Sequence, residues 1–157
     1  MQNKVHWAIT GQTASEIVHG RVDASKPNLG LTSWRGAVVR KTDVIIAKNY
    51  LTEPELSALN NLVEQYLVFA QGQAMRRVAM HMTDWITKLD AFLTLNERDI
   101  LTHAGHISHE MAQTKAEMEF DKFKALTAAA PRAVDADFEQ AVMKLPKAAP
   151  KRQKKKP

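Results

Sequence analysis

The chain has 157 residues, 45% of them hydrophobic and 25% charged, the balance of one folded domain with a core of its own. Cysteine is absent, which excludes a disulfide scaffold, a cysteine nucleophile and thiolate metal sites. The formal charge of +5 is uneven: Lys144, Lys147, Lys151, Arg152, Lys154, Lys155 and Lys156 crowd into residues 144–157 with no acid, so residues 1–143 are close to neutral.

The stretch QNKVHWAIT at 2–10 reads as the end of a helix without a cap of its own, one that a longer chain would continue backwards. Thr13-Ala-Ser-Glu16 is a capping-box pattern and predicts a helix over about 14–22 with Ile17 and Val18 inward. DASKPNLG at 23–30 is turn chemistry, in which Pro27 sets φ and Asn28 or Gly30 takes a positive φ. Between Leu31 and Arg40, Val38 and Val39 favour strand while Gly36 favours a turn, so an irregular segment or a small two-stranded β-ribbon is expected. Thr42 can cap a short helix reaching Asn49, with Val44, Ile45 and either Ala47 or the stem of Lys48 inward.

Beyond residue 50 the periodicity is stronger. Thr52-Glu-Pro-Glu55 is a second capping box, and Leu56, Leu59, Leu62, Val63, Tyr66, Leu67 and Ala70 recur at steps of three and four. They predict an amphipathic helix running to about Arg76. Thr83 opens another, with Trp85, Ile86, Leu89, Phe92 and Leu93 on one stripe. Asn96 is expected to cap a third, with Glu97 and Asp99 in its first turn, an interruption at Gly105, and a continuation through Ile107, Met111, Met118 and Phe123 up to Pro131.

The expected fold is mainly α: a bundle of three long helices plus short N-terminal helices. Its domain would span 1–130, followed by a short helix within 131–143 carrying Phe138 and Val142, and a disordered basic tail over 144–157. No apolar run approaches the ~20 residues of a membrane span and residues 1–20 lack a signal pattern, so no membrane partner and a cytoplasmic location are expected.

Three constellations bear on function. His103, His106 and His109 recur at steps of three before Glu110, but neither H-E-x-x-H nor its inverse is present, and surface histidines near a helix bend explain them better than a metal does. No metal or cofactor is implied. A dense polar set at 13–49 comprises Glu16, Arg21, Asp23, Lys26, Asn28, Trp34, Arg40, Lys41, Asp43, Lys48 and Asn49. It either builds a site, making the protein an enzyme acting on a nucleotide or nucleic acid, or satisfies the backbone of an irregular segment. No catalytic residue can be named within it. The tail, through Lys151, Arg152, Lys154, Lys155 and Lys156, suits weak and non-specific contact with phosphates.

Particular strings carry a resemblance. T-A-x-E-I at 13–17, D-A-x-K-P-N-x-G-L-T-x-W at 23–34, R-K-x-D-V at 40–44, A-K-N-Y-L at 47–51, D-W-x-x-K-L-D-x-F-L at 84–93 and L-T-H-A-G at 101–105 follow one another in order. From residue 2 to about residue 124 the chain resembles the C-terminal half of the RhuM family of virulence-associated proteins. The resemblance implies a product of pathogenicity islands or other mobile elements, without an established activity. Longer members carry an N-terminal region similar to a winged-helix DNA-binding module, which this sequence lacks, and lysine is expected where this chain has His106. Together with the apolar helix stripes, the near-neutral body and the basic tail, the family plan points to a helical interaction or regulatory module. Its expected partner is such a DNA-binding half or a second copy of the chain.

Overall fold

Five helices carry the fold in a computed structural model that describes residues 1–129. They are α1 (Gln2–Thr10), α2 (Ala14–Arg21), α3 (Glu53–Met75), α4 (Met82–Leu95) and α5 (His109–Ala129). Met1–Phe123 form one compact unit, and the residues from Lys124 onward belong to a second. The short helix expected within 131–143 and the basic tail lie outside the described residues.

The helix starts follow the local chemistry. Thr13 opens α2: its N–H donates to Glu16 Oε2 at 2.8 Å, and its Oγ1 accepts from the Glu16 N–H at 3.4 Å. Thr52 opens α3 with its N–H donating to Glu55 Oε2 at 2.8 Å. Between α2 and α3 the chain is irregular but well bonded. A 3₁₀ turn over Pro27–Gly30 carries three successive left-handed residues, Asn28, Leu29 and Gly30, at φ 52°, 62° and 81°. This run swings the Leu29 side chain fully inside, where burial holds a conformation that a branched side chain otherwise disfavours.

Of the two readings of 31–40 the β-ribbon fails: among the described residues there is no strand, and the segment is irregular chain, the other expectation. The Thr32 and Ser33 N–H groups donate to the Asn49 carbonyl, which leaves no ladder for Val38 and Val39; only Val39 is buried. Thr42 does not cap a helix either: a turn built on Asp43 comes first, then a 3₁₀ turn over Ala47–Tyr50. Val44 and, of the two alternatives, Ala47 are nonetheless inside.

The expected third helix is displaced. Asn96 does not start it but ends α4, its Nδ2 donating to the Phe92 carbonyl at 2.8 Å. Glu97 turns left-handed at φ 55°, and the N–H groups of Glu97 and Arg98 bond back to the Thr94 and Leu93 carbonyls. The Asn-Glu-Arg-Asp string suits a helix start by composition, yet the open carbonyls of α4 take the N–H groups first. Residues 97–108 are therefore loop, and α5 begins at His109.

The same left-handed cap ends α3, where Arg77 has φ 54° and the N–H groups of Arg77 and Val78 bond to the Ala74 and Gln73 carbonyls. Neither Arg77 nor Glu97 is glycine. Each pays the left-handed steric penalty of ~1–2 kcal/mol, offset in part by lower backbone entropy when unfolded. Arg77→Gly and Glu97→Gly are each expected to raise stability by about 0.5 kcal/mol in urea denaturation; a loss in both would refute this account of the caps.

The bundle expectation also needs correction, because the three long helices share no single seam. The larger core gathers Ile17, Val18, Leu29, Leu31, Val44, Tyr50, Leu51 and Leu59 with Ala112, Ala116 and Phe120 of α5. The smaller holds Ala8, Leu62, Leu89 and Leu93, flanked by Tyr66 and Phe92. The first part of α3 belongs to the α5 side and its middle to the α4 side, while Val5 and Ile9 of α1 pack against both cores. The cause is the irregular 22–51 segment, whose buried side chains occupy the space a third helix would need.

Candidate functional site

The polar set at 13–49 resolves into separate local structures. Arg21 at the end of α2 donates to Glu55 of α3 through both guanidinium nitrogens, at 2.6 and 2.8 Å, and from Nη1 to the Tyr50 carbonyl at 2.9 Å. This forked pair, with the Thr52 N–H behind it, holds the Glu55 carboxyl down at about 2 against an ordinary 4.5, while partial burial opposes the shift. Asp23 accepts from the Ser25 N–H and hydroxyl at 2.9 and 2.6 Å, and those bonds lower its pKa. Lys26 and Asn28 are exposed on the following turn.

Asp43 is buried and accepts the Arg40 N–H at 2.8 Å, while its carbonyl accepts from Asn49 Nδ2 at 3.0 Å. Tyr50 donates its phenol to the Val44 carbonyl at 2.7 Å, and burial pushes that phenol well above its ordinary pKa. Trp34 lies half-buried against the larger core. Lys41 reaches Glu117 of α5 at 3.1 Å, and Lys48 is exposed on another face beside α1 and α3.

Arg21 and Glu55, Asp43 and Asn49, and Asp43 and Arg40 are thus brought together. Asp23, Lys26, Lys41, Lys48 and Trp34 are not gathered with them. Two further ties bind this region to α5: the Ala24 N–H donates to Glu119 Oε2 at 2.8 Å, and Lys115 Nζ donates to the His19 carbonyl at 2.7 Å.

Glu16 has a second role that its capping pattern hides. Its Oε1 accepts the His106 N–H at 2.7 Å, tying the 97–108 loop to α2. Burial raises the Glu16 pKa, but the His106 and Thr13 N–H bonds outweigh it and the net shift is downward. The approach requires Gly105, at φ 89°, because a Cβ there would meet Thr13 Cγ2 at 2.8 Å.

The histidines sit differently from the expected helix: His103 and His106 lie in this loop, and His109 opens α5. His103 Nδ1 accepts the Gly105 N–H at 3.0 Å, and its ring meets Trp7 edge-on at 4.8 Å. Among the described residues no group of three His, Cys, Asp or Glu side chains could hold a metal ion.

The surface feature that sequence reasoning missed lies on α3. Of its predicted inward stripe only Leu59 and Leu62 are buried, while Val63 and Leu67 stand 40% and 61% exposed. Leu62, Tyr66 and Phe69 turn to α4, where Tyr66 donates its hydroxyl to the Trp85 carbonyl at 2.7 Å. Val63, Leu67, Ala70 and Ala74 form a separate row one step round the helix, exposed except at half-buried Ala70, while exposed Val68 and Met75 lie ~100° further round. Met75, Met82, Met111 and Met118 are surface residues, not core. Beside Val63 and Leu67 runs a groove of about 370 Å³, bounded by Gln2, Val5 and His6 of α1 and by Lys48, Asn60 and Glu64. The signal was present: apolar positions on α3 cover two adjoining stripes, wider than a single contact needs.

No helix among the described residues is long and apolar enough to cross a membrane. Comparison with curated proteins and with solved structures returns no match. The order of the turn-building and capping strings is that of one family, whose model, described as virulence protein RhuM family, matches residues 1–130: the chain belongs to the RhuM family.

Proposed function

We propose that this chain is a cytoplasmic helical interaction module of a mobile-element protein, docking beside a DNA-binding half rather than performing chemistry of its own. The observation that carries this reading is the apolar row on α3 in which Val63, Leu67 and Ala74 are exposed and Ala70 half-buried, with nothing over it among the described residues. Exposed apolar surface of this continuity costs solubility unless something covers it. The enzyme reading has less support, because the polar residues at 13–49 are occupied with caps, turns and links between elements.

The test is calorimetric titration with a separately produced winged-helix module of a longer family member. Affinity for the module or, on dilution of the chain alone, for a second copy is expected, and Leu67→Asp should weaken whichever contact covers the row roughly 30-fold or more, the range of a central apolar contact. A chain with no affinity for the module or for itself would overturn the reading. The tail contributes a weak grip on nucleic acid in the same scheme. Deleting 144–157 should abolish DNA retention, which before deletion falls with salt at a log–log slope of about −0.9 per phosphate contact. Retention that survives the deletion would move the nucleic-acid contact into the folded body.

A further inference from the structure

The open row on α3 is asymmetric in both size and charge. Val63, Leu67, Ala70 and Ala74 recur at steps of four, three and four, the spacing with which one helix lies along another. The first two stand out from the surface and the last two are a methyl group high, so the row is bulky at one end and shallow at the other. Charge is also segregated: Glu53, Glu55 and Glu64 occupy the first half of α3, whereas Arg76 and Arg77 close it. Glu55 is held by Arg21, but Glu64, Arg76 and Arg77 enter no ion pair among the described residues.

We infer that α3 is the contact of a homodimer, pairing antiparallel with α3 of a second copy so that Val63 lies over Ala74 and Leu67 over Ala70. This inference rests on the interaction reading above and names its partner as the chain itself. The antiparallel sense follows from both asymmetries. It sets bulky residues on shallow ones, which lets the helices approach closely, and it brings Glu64 of each copy towards Arg77 of the other. A parallel pair would face alanine with alanine across a gap and bring the arginines together. The helix dipoles oppose one another only in the antiparallel sense. The register also carries Val78 of one copy to the end of the groove walled by Val5, Leu59, Val63 and Leu67 of the other. Being isologous, the contact buries each of these residues twice.

The absence of cysteine makes a direct test available, because any introduced thiol reports alone. Val63→Cys and Ala74→Cys chains, mixed and mildly oxidised, are expected to form a cross-linked dimer. Either variant alone should not, since in this register residue 63 of one copy sits ~16 Å along the axis from residue 63 of the other, beyond disulfide reach. Sedimentation of the unmodified full chain should show a concentration-dependent dimer, weakened roughly 30-fold or more by Leu67→Asp. Glu64→Arg should weaken it too, and adding Arg77→Glu to the same chain should restore it.

Self-cross-linking of Val63→Cys, or a monomer up to about 100 μM, well above the μM range of stable interfaces, would overturn the proposal. If Leu67→Asp loses its helical circular dichroism, the thiol pairs and the unmodified chain still decide. A monomer that binds the winged-helix module through Leu67 sinks the homodimer and leaves the interaction reading standing. A monomer that binds neither sinks both.

Discussion

Gly30→Ala is expected to lose about 2–5 kcal/mol of unfolding free energy, the sum of a left-handed penalty of ~1–2 and an overpacking cost of ~1–3. Gly30 has φ 81°, and a Cβ built on it would lie 2.6 Å from the Arg21 carbonyl oxygen. That neighbour is backbone at the end of α2, so it cannot turn aside as a flexible side chain would. Moving it would disturb Arg21, whose guanidinium joins α2 to α3, and Leu29, which is fully buried next door. For a domain of this size the loss corresponds to a fall in Tm of about 5–15 °C. Gly72→Ala is the matched control: it lies inside α3 with nothing within 4 Å of the added carbon, and should gain about 0.5–1 kcal/mol. Equal thermal midpoints for Gly30→Ala and the unmodified chain would show that the Pro27–Gly30 turn is not built as described.

Glu55→Gln should cost about 2 kcal/mol at neutral pH, and the cost should disappear in acid. The carboxylate is bonded twice by Arg21 and once by the Thr52 N–H. Hydrogen bonds to charged groups contribute about 1.5–3 kcal/mol, towards the lower end here because the two side chains keep 27% and 24% of their surface in water. The native carboxyl titrates near 2, below its ordinary 4.5, so the unfolded chain takes up the proton first as pH falls. The stabilisation is therefore complete above about pH 4.5 and is lost progressively as pH drops through about 2. Urea denaturation of both proteins at pH 7, 4 and 2.5 measures this. Other carboxylates with lowered pKa values, those of Glu16, Asp23, Glu117 and Glu119, contribute to acid unfolding of both chains and cancel in the difference. A gap between the two that stays constant with pH would mean that Glu55 contributes shape and not charge.

The parts of the fold legible from sequence were those set by neighbours a few residues apart. Thr13 with Glu16 and Thr52 with Glu55 mark helix starts because the donor and acceptor lie within one turn. Asn28 and Gly30 take the left-handed conformations that turn chemistry assigns them. Asn96 was ambiguous for the same local reason: asparagine serves either end of a helix, and the free carbonyls of α4 settle which. The polar residues at 13–49 gave no sign of their partners, since Arg21 meets Glu55, Lys41 meets Glu117 and Glu16 meets His106 across long separations. From composition, a residue in such a link and one in a binding site look alike.

Read alone, the amino-acid order establishes a mainly helical chain of the RhuM family, with its caps, its turns and a concentration of cations at residues 144–157. These follow from short-range hydrogen bonding, apolar periodicity and charge, which operate within a few residues. Which stripe of α3 faces inward was decided only when α1, α4 and the 22–51 segment came together. Their side chains claim Leu59 and Leu62 and have no room for Val63 and Leu67. Burial is a property of the assembled packing, so periodicity identifies which residues can be inside while the arrangement of neighbours selects those that are.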